Sequence, residues 1–347
     1  MHPALAPDSL LERAAIWSGQ LPSALMLQSL CMGYARCLGA AVRLGVFEAL
    51  ADGPRGPEQV AATIQADPTG TAMLLSALNG TGFLSRRDGR YALRPQTRRW
   101  LLADSPGSLR DASLFLADLW DRWARLEEVV RTGTTADFHA AGQDPGHWER
   151  YLRGLACFAR MARGEVAKKA ALPAGARRVL DVGGGHGVYA VGLCERHPDL
   201  EVEVLDLPDA AHVGRAIVAS MGMQERVRYR EGDHRVADWG EGWDAVLLFN
   251  VLHNERPEVA ATLIRRAWAA LRPGGLVLVL ESEHREPRGD VTAIAGLNEV
   301  FFFLLNGTAV WPEATLRGWI EQAGFTSRRR RRLLRAPAVL LSGTRAV

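Results

Sequence analysis

Apolar residues recur at helical spacing through most of the first half of the chain, from residue 1 to about residue 165. The segment Leu21–Leu50 is rich in Ala, Leu and Met and predicts a long helical stretch. Pro57 begins another helix, because proline is favoured in the first helical turn. Asp67 is placed to cap a third, which runs to Asn79.

Two short segments with strand-like patterning follow these helices, at residues 82–86 and 91–93. The Asp88-Gly89 pair between them favours a tight turn and predicts a β-hairpin. Helix, helix and hairpin in this order predict a winged helix, which keeps a DNA-binding protein open as an alternative. Residues 67–79 contain no Lys or Arg, however, and DNA contacts depend heavily on those side chains.

The second half of the chain alternates apolar strands with amphipathic helices. Strands are expected at residues 178–182, 201–207, 227–232, 244–250, 275–281 and 338–342, and helices at 187–196, 209–221, 257–271 and 312–323. This alternation predicts an α/β domain with a doubly wound, mainly parallel sheet. We place that domain at residues 166–347 and a mainly helical domain at residues 1–165.

Composition adds a few limits. The chain has 347 residues, of which 48% are apolar, and a net charge of +3. No uninterrupted apolar run reaches about 18 residues, so no membrane span is expected. The four cysteines form no CxxC pair, which favours reduced thiols in the cytoplasm and no metal site. The run Arg328–Arg332 fits a solvated strand better than a nucleic-acid patch, because the whole-chain charge is low.

Three predicted strands end in residues with related chemistry, and ligands bind at such strand ends in this class of sheet. The first runs into a glycine-rich turn, from Asp181 to Gly187, where Gly183 and Gly185 allow close approach of a ligand. The second ends at Asp206, which can accept hydrogen bonds from ribose hydroxyls. The third is followed by Asp233, which can meet the exocyclic amine of adenine.

The glycine turn by itself does not separate two kinds of cofactor. Ala190 stands where the third glycine of a dinucleotide-binding motif, or its alanine variant, would lie. Asp181 would repel a pyrophosphate but suits the amino group of an amino-acid tail. The charge of this side chain therefore favours S-adenosylmethionine over NAD.

Six short motifs occur in order through the second half of the chain: Leu180-Asp181-Val182-Gly183-Gly184-Gly185, Leu205-Asp206-Leu207-Pro208, Glu231-Gly232-Asp233, Asn250-Val251-Leu252-His253, Leu271-Arg272-Pro273-Gly274-Gly275 and Ala323-Gly324-Phe325. With the winged helix, this set resembles the S-adenosylmethionine-dependent small-molecule O-methyltransferases of the caffeic-acid type and their bacterial tailoring relatives. The resemblance implies a class I methyltransferase, Rossmann-like domain. It also implies that the N-terminal domain mediates homodimerisation and contributes to the acceptor pocket.

The resemblance implies roles for individual residues. His253 falls where the family has a general base that deprotonates a hydroxyl, and imidazole titrates near neutral pH. Glu281 falls where an acid orients that base. Leu207 and Asn250 lie within these motifs, and His234 directly follows one of them. We count all three as cofactor-binding residues, together with Asp181, Gly183, Gly185, Asp206 and Asp233.

The sequence departs from the family pattern on the acceptor side. The family usually has His-Asp-Trp where this chain has His253-Asn254-Glu255, and a second acid of the family falls at Val310. Residues 298–306 predict a helix lining the acceptor pocket, to which we assign Asn254, Asn298, Phe302 and Asn306.

The expected activity is methyl transfer to a small molecule, with a hydroxyl of a secondary metabolite favoured as acceptor. The departures keep a C- or N-methyltransferase of the same architecture open, for example one acting on a 2-oxo acid. A protein that binds S-adenosylmethionine without turnover is a further alternative. Neither nucleic acid nor a membrane is expected as a partner.

Overall fold

The chain divides into two structural units at Trp120–Asp121. A computed structural model describes residues 6–7, 9–19, 21–135, 138–139, 146–284 and 291–347. The predicted boundary near residue 165 differs from this division and lies inside helix α10 (His147–Ala170). The reason is packing, because Leu152 and Val166 of α10 are buried in the apolar clusters of the second unit.

The first unit is mainly helical and contains one hairpin. Its elements are α1 (Leu10–Trp17), α2 (Ser23–Leu44), α3 (Val46–Ala49), α4 (Pro57–Ile64), α5 (Pro68–Gly80), β1 (Leu84–Arg87), β2 (Arg90–Leu93), α6 (Pro95–Leu101) and α7 (Arg110–Asp118), with α8 (Trp120–Trp123) at the junction. The predicted order of helix, helix and hairpin is present in α4, α5, β1 and β2.

Local chemistry explains these elements. The carboxylate of Asp67 accepts a hydrogen bond from the Gly70 amide at 2.7 Å and caps α5, as its position predicts. Asp88 and Gly89 both have positive φ, 47° and 74°, which the two-residue hairpin turn requires. The predicted helix over Leu21–Leu50 is instead interrupted at Gly45, whose φ of 75° ends α2.

Helix α2 is apolar but largely exposed in the single chain. Among the described residues it is the helix whose length and composition would suffice to cross a membrane, a property that core helices of other proteins share. Leu30 is 58% exposed, and the residues of α2 that are buried are Gly39, Ala41 and Val42. An exposed apolar surface of this kind is typical of an interaction site.

The second unit is built around a seven-stranded sheet. Its elements are α9 (Leu126–Thr132), α10, β3 (Arg178–Val182), α11 (Val188–Arg196), β4 (Glu201–Asp206), α12 (Pro208–Ser220), β5 (Val227–Glu231), β6 (Trp243–Phe249), a 3-10 turn (Leu252–Asn254), α13 (Pro257–Ala270), β7 (Leu271–Ser282), α14 (Ala293–Asn306), α15 (Glu313–Gln322), β8 (Phe325–Arg332) and β9 (Ala338–Arg345). Two apolar layers, one on each face of the sheet, form its core.

The strand order is β5-β4-β3-β6-β7-β9-β8. Strands β3 to β7 are parallel, and β9 runs antiparallel to both β7 and β8, which confirms the predicted mainly parallel α/β fold. The chain moves outward from β3 through β4 to β5 and then returns to β6 on the other side of β3. The carboxyl end of β3 is therefore the switch point at which such sheets form a ligand crevice.

The arginine run forms the exposed strand β8 at the edge of the sheet. Arg330 and Arg332 both pair with Glu283, at 3.4 and 3.1 Å, and Arg330 also pairs with Glu313 at 2.6 Å. These acids offset much of the local positive charge, and charged residues protect an edge strand from pairing with another chain.

Replacement of a buried leucine tests whether the central sheet of the second unit forms a core that stabilises the fold. Leu247 lies in β6 and is fully buried, so Leu247→Ala should leave a cavity and lower the free energy of unfolding by about 2–5 kcal/mol. Arg329→Ala on the exposed edge strand is the control, with an expected change within about 0.5 kcal/mol. Urea unfolding followed by tryptophan fluorescence measures both, and equal midpoints would contradict the assigned core.

Candidate active site

A cavity of about 430 Å³ opens at the carboxyl ends of β3, β4 and β6. The described residues that line it all belong to the second unit. They include the glycine turn after β3, the ends of β4 and β6, the loop after β5, and side chains of α10. The cavity therefore occupies the switch point that the strand order creates.

The glycine turn fits a ligand that approaches its backbone closely. Gly183 has a φ of 64°, and a Cβ at this position would lie 2.8 Å from Cγ2 of Val251. A Cβ at Gly184 would lie 2.5 Å from the carboxyl group of Asp181. A side chain at either position would therefore collide with a residue that lines the cavity.

Asp181 supplies an unusual carboxyl group in this floor. It is 2% exposed, and its Oδ1 is buried without a hydrogen-bond partner among the described residues. Burial, together with the nearby charge of Asp206, raises the pKa of Asp181 to about 8. A buried acceptor without a partner is costly, and a ligand cation would both pair with it and restore its charge. This arrangement fits the ammonium group of an amino-acid tail.

Asp206 lies at the end of the neighbouring strand β4. Its Oδ2 accepts the Gly185 amide at 2.7 Å, and its Oδ1 accepts the Leu207 amide at 2.8 Å. Burial raises its pKa, and the two amides counteract part of that effect. Each carboxylate oxygen retains a lone pair, so Asp206 can also accept hydrogen bonds from ribose hydroxyls in the cavity.

The residues after β5 are arranged differently from the sequence-based expectation. Asp233 is absent from the described lining of the cavity, and its Oδ1 accepts the Arg235 amide at 2.8 Å and the Arg235 Nε at 3.0 Å. His234 does line the cavity and pairs through Nε2 with Oε1 of Glu255 at 2.9 Å. Glu255 is 7% exposed and lines the same wall.

His253 and Glu281 form a buried pair next to the cavity. Nδ1 of His253 donates to Oε2 of Glu281 at 2.5 Å, and Oε1 of Glu281 accepts the Leu252 amide at 2.9 Å. The pair joins the end of β7 to the 3-10 turn after β6. His253 itself is absent from the described lining of the cavity, whereas its neighbours Val251 and Asn254 belong to it.

The segment that includes and follows α14 holds this turn in place. Oγ1 of Thr308 donates to the carbonyl of His253 at 2.5 Å, and Nε1 of Trp311 donates to the carbonyl of Leu252 at 2.7 Å. The ring of Phe302 lies over the His253 ring with a centroid separation of 4.0 Å. The imidazole is therefore fixed from several sides.

The predicted acceptor residues separate into two groups. Asn254 and Asn306 line the cavity, where Nδ2 of Asn306 donates to Oδ1 of Asn254 at 2.8 Å. Asn250 also lines it, and its carbonyl accepts Nδ2 of Asn254 at 3.3 Å. Asn298 is half-buried on α14 but lies outside the described lining, as does Phe302.

Acids and histidines on the acceptor side are arranged in pairs. His284 lies 3.3 Å from Glu299, and His253 is paired with Glu281. Among the residues that the structure describes, no group of three or more His, Cys, Asp or Glu side chains could hold a metal ion. Val310, where the family's second acid falls, is an apolar residue in the core.

Sequence reasoning missed several residues that build the site. Thr308 and Trp311 act over more than fifty residues of sequence separation, and no local pattern signals such contacts. Glu255 departs from the family pattern, but only the folded arrangement of the segments after β5 and β6 shows that it pairs with His234. His186, within the glycine turn, is buried against the cavity, and its position in the motif was the available signal.

Comparison with protein families identifies both units. Residues 123–326 match the O-methyltransferase domain, and residues 29–103 match the O-methyltransferase dimerisation domain. The first match covers more than half of the chain and contains the glycine turn, the His253–Glu281 pair and α14.

Individual proteins that are similar to this chain are also methyltransferases. The chain is 30% identical to 3-hydroxy-5-methyl-1-naphthoate 3-O-methyltransferase of Streptomyces sahachiroi, over 70% of this chain and 72% of that protein. It is 25% identical to L-tyrosine C(3)-methyltransferase of Streptomyces lavendulae, over 83% and 82%. The solved structure of an O-methyltransferase family protein from Burkholderia thailandensis superimposes with a TM-score of 0.82 at 25% identity, covering 94% and 99% of the two chains.

The predicted enzyme class and cofactor are thereby confirmed. The Asp181 oxygen, which has no partner among the described residues, and the glycine turn beside it fit the cofactor of these enzymes. The protein belongs to the S-adenosylmethionine-dependent O-methyltransferase family.

Proposed function

We propose that this enzyme methylates a hydroxyl group of a small secondary metabolite, with His253 as the general base. The observation that carries this proposal is the buried pair of His253 with Glu281, beside the cavity that fits the cofactor. The neighbours of His253 in the 3-10 turn segment, Val251 and Asn254, line that cavity together with Asn306.

The geometry of the pair suits proton abstraction. Because Nδ1 of His253 donates its hydrogen to Glu281, Nε2 of the neutral ring is unprotonated and can accept the hydroxyl proton. The Glu281 carboxylate then stabilises the imidazolium, as an acid does in other acid–base pairs of this kind. S-adenosylmethionine, when bound, supplies a methyl group already activated by a positive sulfur. The remaining task of the protein is alignment of the acceptor and removal of its proton.

Cofactor contacts are proposed for the strand ends. Asp181 would receive the ammonium group, and Asp206 the ribose hydroxyls, since both carboxyl groups line the cavity. Gly183 and Gly185 would leave room for the ligand, and Leu207, His234 and Asn250 would contribute to the walls. The role of Asp233 at the adenine amine stays a prediction, for which Glu255 is a competing acid on the cavity wall.

A carbon or nitrogen acceptor is the second candidate. Asn254 replaces the family's Asp, Val310 replaces its second acid, and one of the similar proteins is a tyrosine C-methyltransferase. Methyl-labelled S-adenosylmethionine followed by mass spectrometry and NMR of the product separates the candidates. An O-methyl product supports the first proposal, and a methyl on carbon or nitrogen overturns it.

We also propose a homodimer formed through the first unit. The dimerisation-domain match begins within α2, the helix whose apolar residues are largely exposed in the single chain. We propose that the enzyme works in the cytoplasm and that its acceptor is a small molecule. Neither nucleic acid nor a membrane is proposed as a partner. The lack of Lys and Arg on α5 supports the absence of DNA binding.

Removal of the base should affect turnover but not cofactor binding. His253→Ala is expected to lower kcat by about 10²–10⁴-fold, and Glu281→Gln by a smaller factor, because Gln keeps the shape but not the charge. The dissociation constant for S-adenosylhomocysteine, measured by calorimetry, should change less than about twofold, since neither residue lines the described cavity. A kcat of His253→Ala equal to that of the wild type would contradict the assignment of His253 as general base.

Asp181 should make stability depend on pH. In the unfolded chain an aspartate ionises near pH 4, whereas Asp181 in the cofactor-free protein has a pKa of about 8. The folded state therefore holds an extra proton between these values, and the free energy of unfolding falls as pH rises through that window.

Asp181→Asn removes this titration. Between pH 5 and 7 the wild-type protein should lose about 2–3 kcal/mol more stability than the variant, as measured by urea unfolding. Other titrating groups are shared and cancel in the difference. Parallel pH profiles for the two proteins would show that Asp181 is ionised in the free protein.

The proposed dimer can be tested on α2. Leu30→Glu places a charge on its exposed apolar surface and should convert the wild-type dimer into a monomer in light scattering. Val130→Glu on α9 is a matched control, because Val130 is 67% exposed but lies outside the dimerisation match. A dimer that survives Leu30→Glu, or a monomeric wild type, contradicts this interface.

A further inference from the structure

His186 is a buried histidine in the middle of the glycine turn, and the proposed reaction does not use it. It is 8% exposed and lines the cavity. Its Nδ1 accepts a hydrogen bond from the Val188 amide at 3.0 Å, at the beginning of α11. An accepting Nδ1 carries no proton, so the proton of the neutral ring is on Nε2.

The ring is neutral under ordinary conditions. Burial, with a contribution from the positive charge of Arg160, lowers the pKa of His186 to about 4. The Nε2–H group is therefore a fixed donor rather than a titrating one. Among the described residues, no side chain or carbonyl accepts this hydrogen.

The glycine turn also carries a hydrogen-bond acceptor, in contrast to the donor on His186. Asp181 presents a buried Oδ1 without a described partner, and a Cβ on the intervening Gly184 would meet the Asp181 carboxyl group. One side of the turn thus offers an acceptor with negative character. The other offers an N–H donor close to the positive Arg160. A ligand that complements both has an ammonium group and a carboxylate on one short chain, which describes an α-amino acid.

We infer that Nε2–H of His186 binds the carboxylate of the amino-acid tail of S-adenosylmethionine, while Asp181 binds its ammonium group. His186 is then a cofactor-selecting residue that reads the carboxylate. This inference rests on the assigned cofactor and goes beyond the roles proposed for the strand-end acids. It also explains why a histidine can be buried in a turn otherwise built from glycines.

A purely structural role for His186 is the competing explanation. In that case the ring serves only to accept the Val188 amide and cap α11. The two roles use different nitrogens, Nδ1 for the cap and Nε2 for the ligand. Variants that retain one nitrogen at a time can therefore separate them.

The experiment uses two variants and two ligands. His186→Asn places an oxygen near the Nδ1 position and lacks a donor at Nε2, whereas His186→Gln places an amide N–H₂ near Nε2 and lacks the cap. The ligands are S-adenosylhomocysteine and its decarboxylated analogue, which keeps the ammonium group and lacks only the carboxylate. Calorimetry gives the dissociation constants, and thermal unfolding shows whether each variant is folded.

The wild type should prefer S-adenosylhomocysteine over the decarboxylated analogue by about tenfold or more, as expected for a hydrogen bond to a charged group. His186→Asn should lose most of that preference, through weaker binding of S-adenosylhomocysteine with the analogue unchanged within about twofold. His186→Gln should retain most of it. If Gln fails to fold, the ligand comparison within Asn still decides the question.

Three results would overturn the inference. The preference for the carboxylate survives in His186→Asn, both ligands weaken equally in that variant, or the wild type shows no preference at all. A wild type that binds neither ligand would instead overturn the cofactor contacts on which the inference rests. The two failures are therefore distinguishable.

Discussion

Burial of two carboxyl groups at neighbouring strand ends is the constraint on which this site depends. Asp181 and Asp206 lie at the carboxyl ends of the parallel strands β3 and β4, where the sheet reverses its order. Both are almost completely removed from water, and such burial is costly unless each group has partners. Asp206 receives two backbone amides, but Asp181 retains an oxygen without a described partner. Asp181 is therefore the acid of this pair that is free to bind a ligand cation through Oδ1.

The glycine turn follows Asp181 and lines the cavity beside it. Side chains at Gly183 or Gly184 would collide with Val251 or with Asp181 itself, so glycine is required at both positions for Asp181 and Val251 to keep their places in the cavity lining. The same turn positions His186 and starts α11. One stretch of seven residues thus provides the acid, the open surface and the buried imidazole. This concentration explains why the turn dominates the motif pattern of the second half.

The proposed catalytic pair depends on parts of the chain that are distant in sequence. Glu281 ends β7, while His253 lies in the 3-10 turn after β6, and the adjacency of β6 and β7 brings them together. Thr308 and Trp311 then hold the carbonyls of that turn. Loss of either hydrogen bond would therefore loosen the turn that carries His253. This coupling suits an enzyme whose acceptor must be aligned with a fixed methyl donor.

The sequence alone determined the class of fold, the two-part organisation and the strand ends that form the cavity. Apolar periodicity and turn residues are local signals, and a parallel sheet places its strand ends at one edge. Through the family resemblance it also predicted that Glu281 orients His253, and the structure places the two side chains within hydrogen-bonding distance.

Only the tertiary structure decided which of these side chains share a wall. In the folded chain Asp233 pairs with Arg235, and His234 pairs with Glu255. Helix α10 belongs to the second unit, whereas the predicted boundary at residue 165 would divide this helix. These outcomes depend on packing and on competition among charged partners between distant segments, and no local pattern encodes that competition.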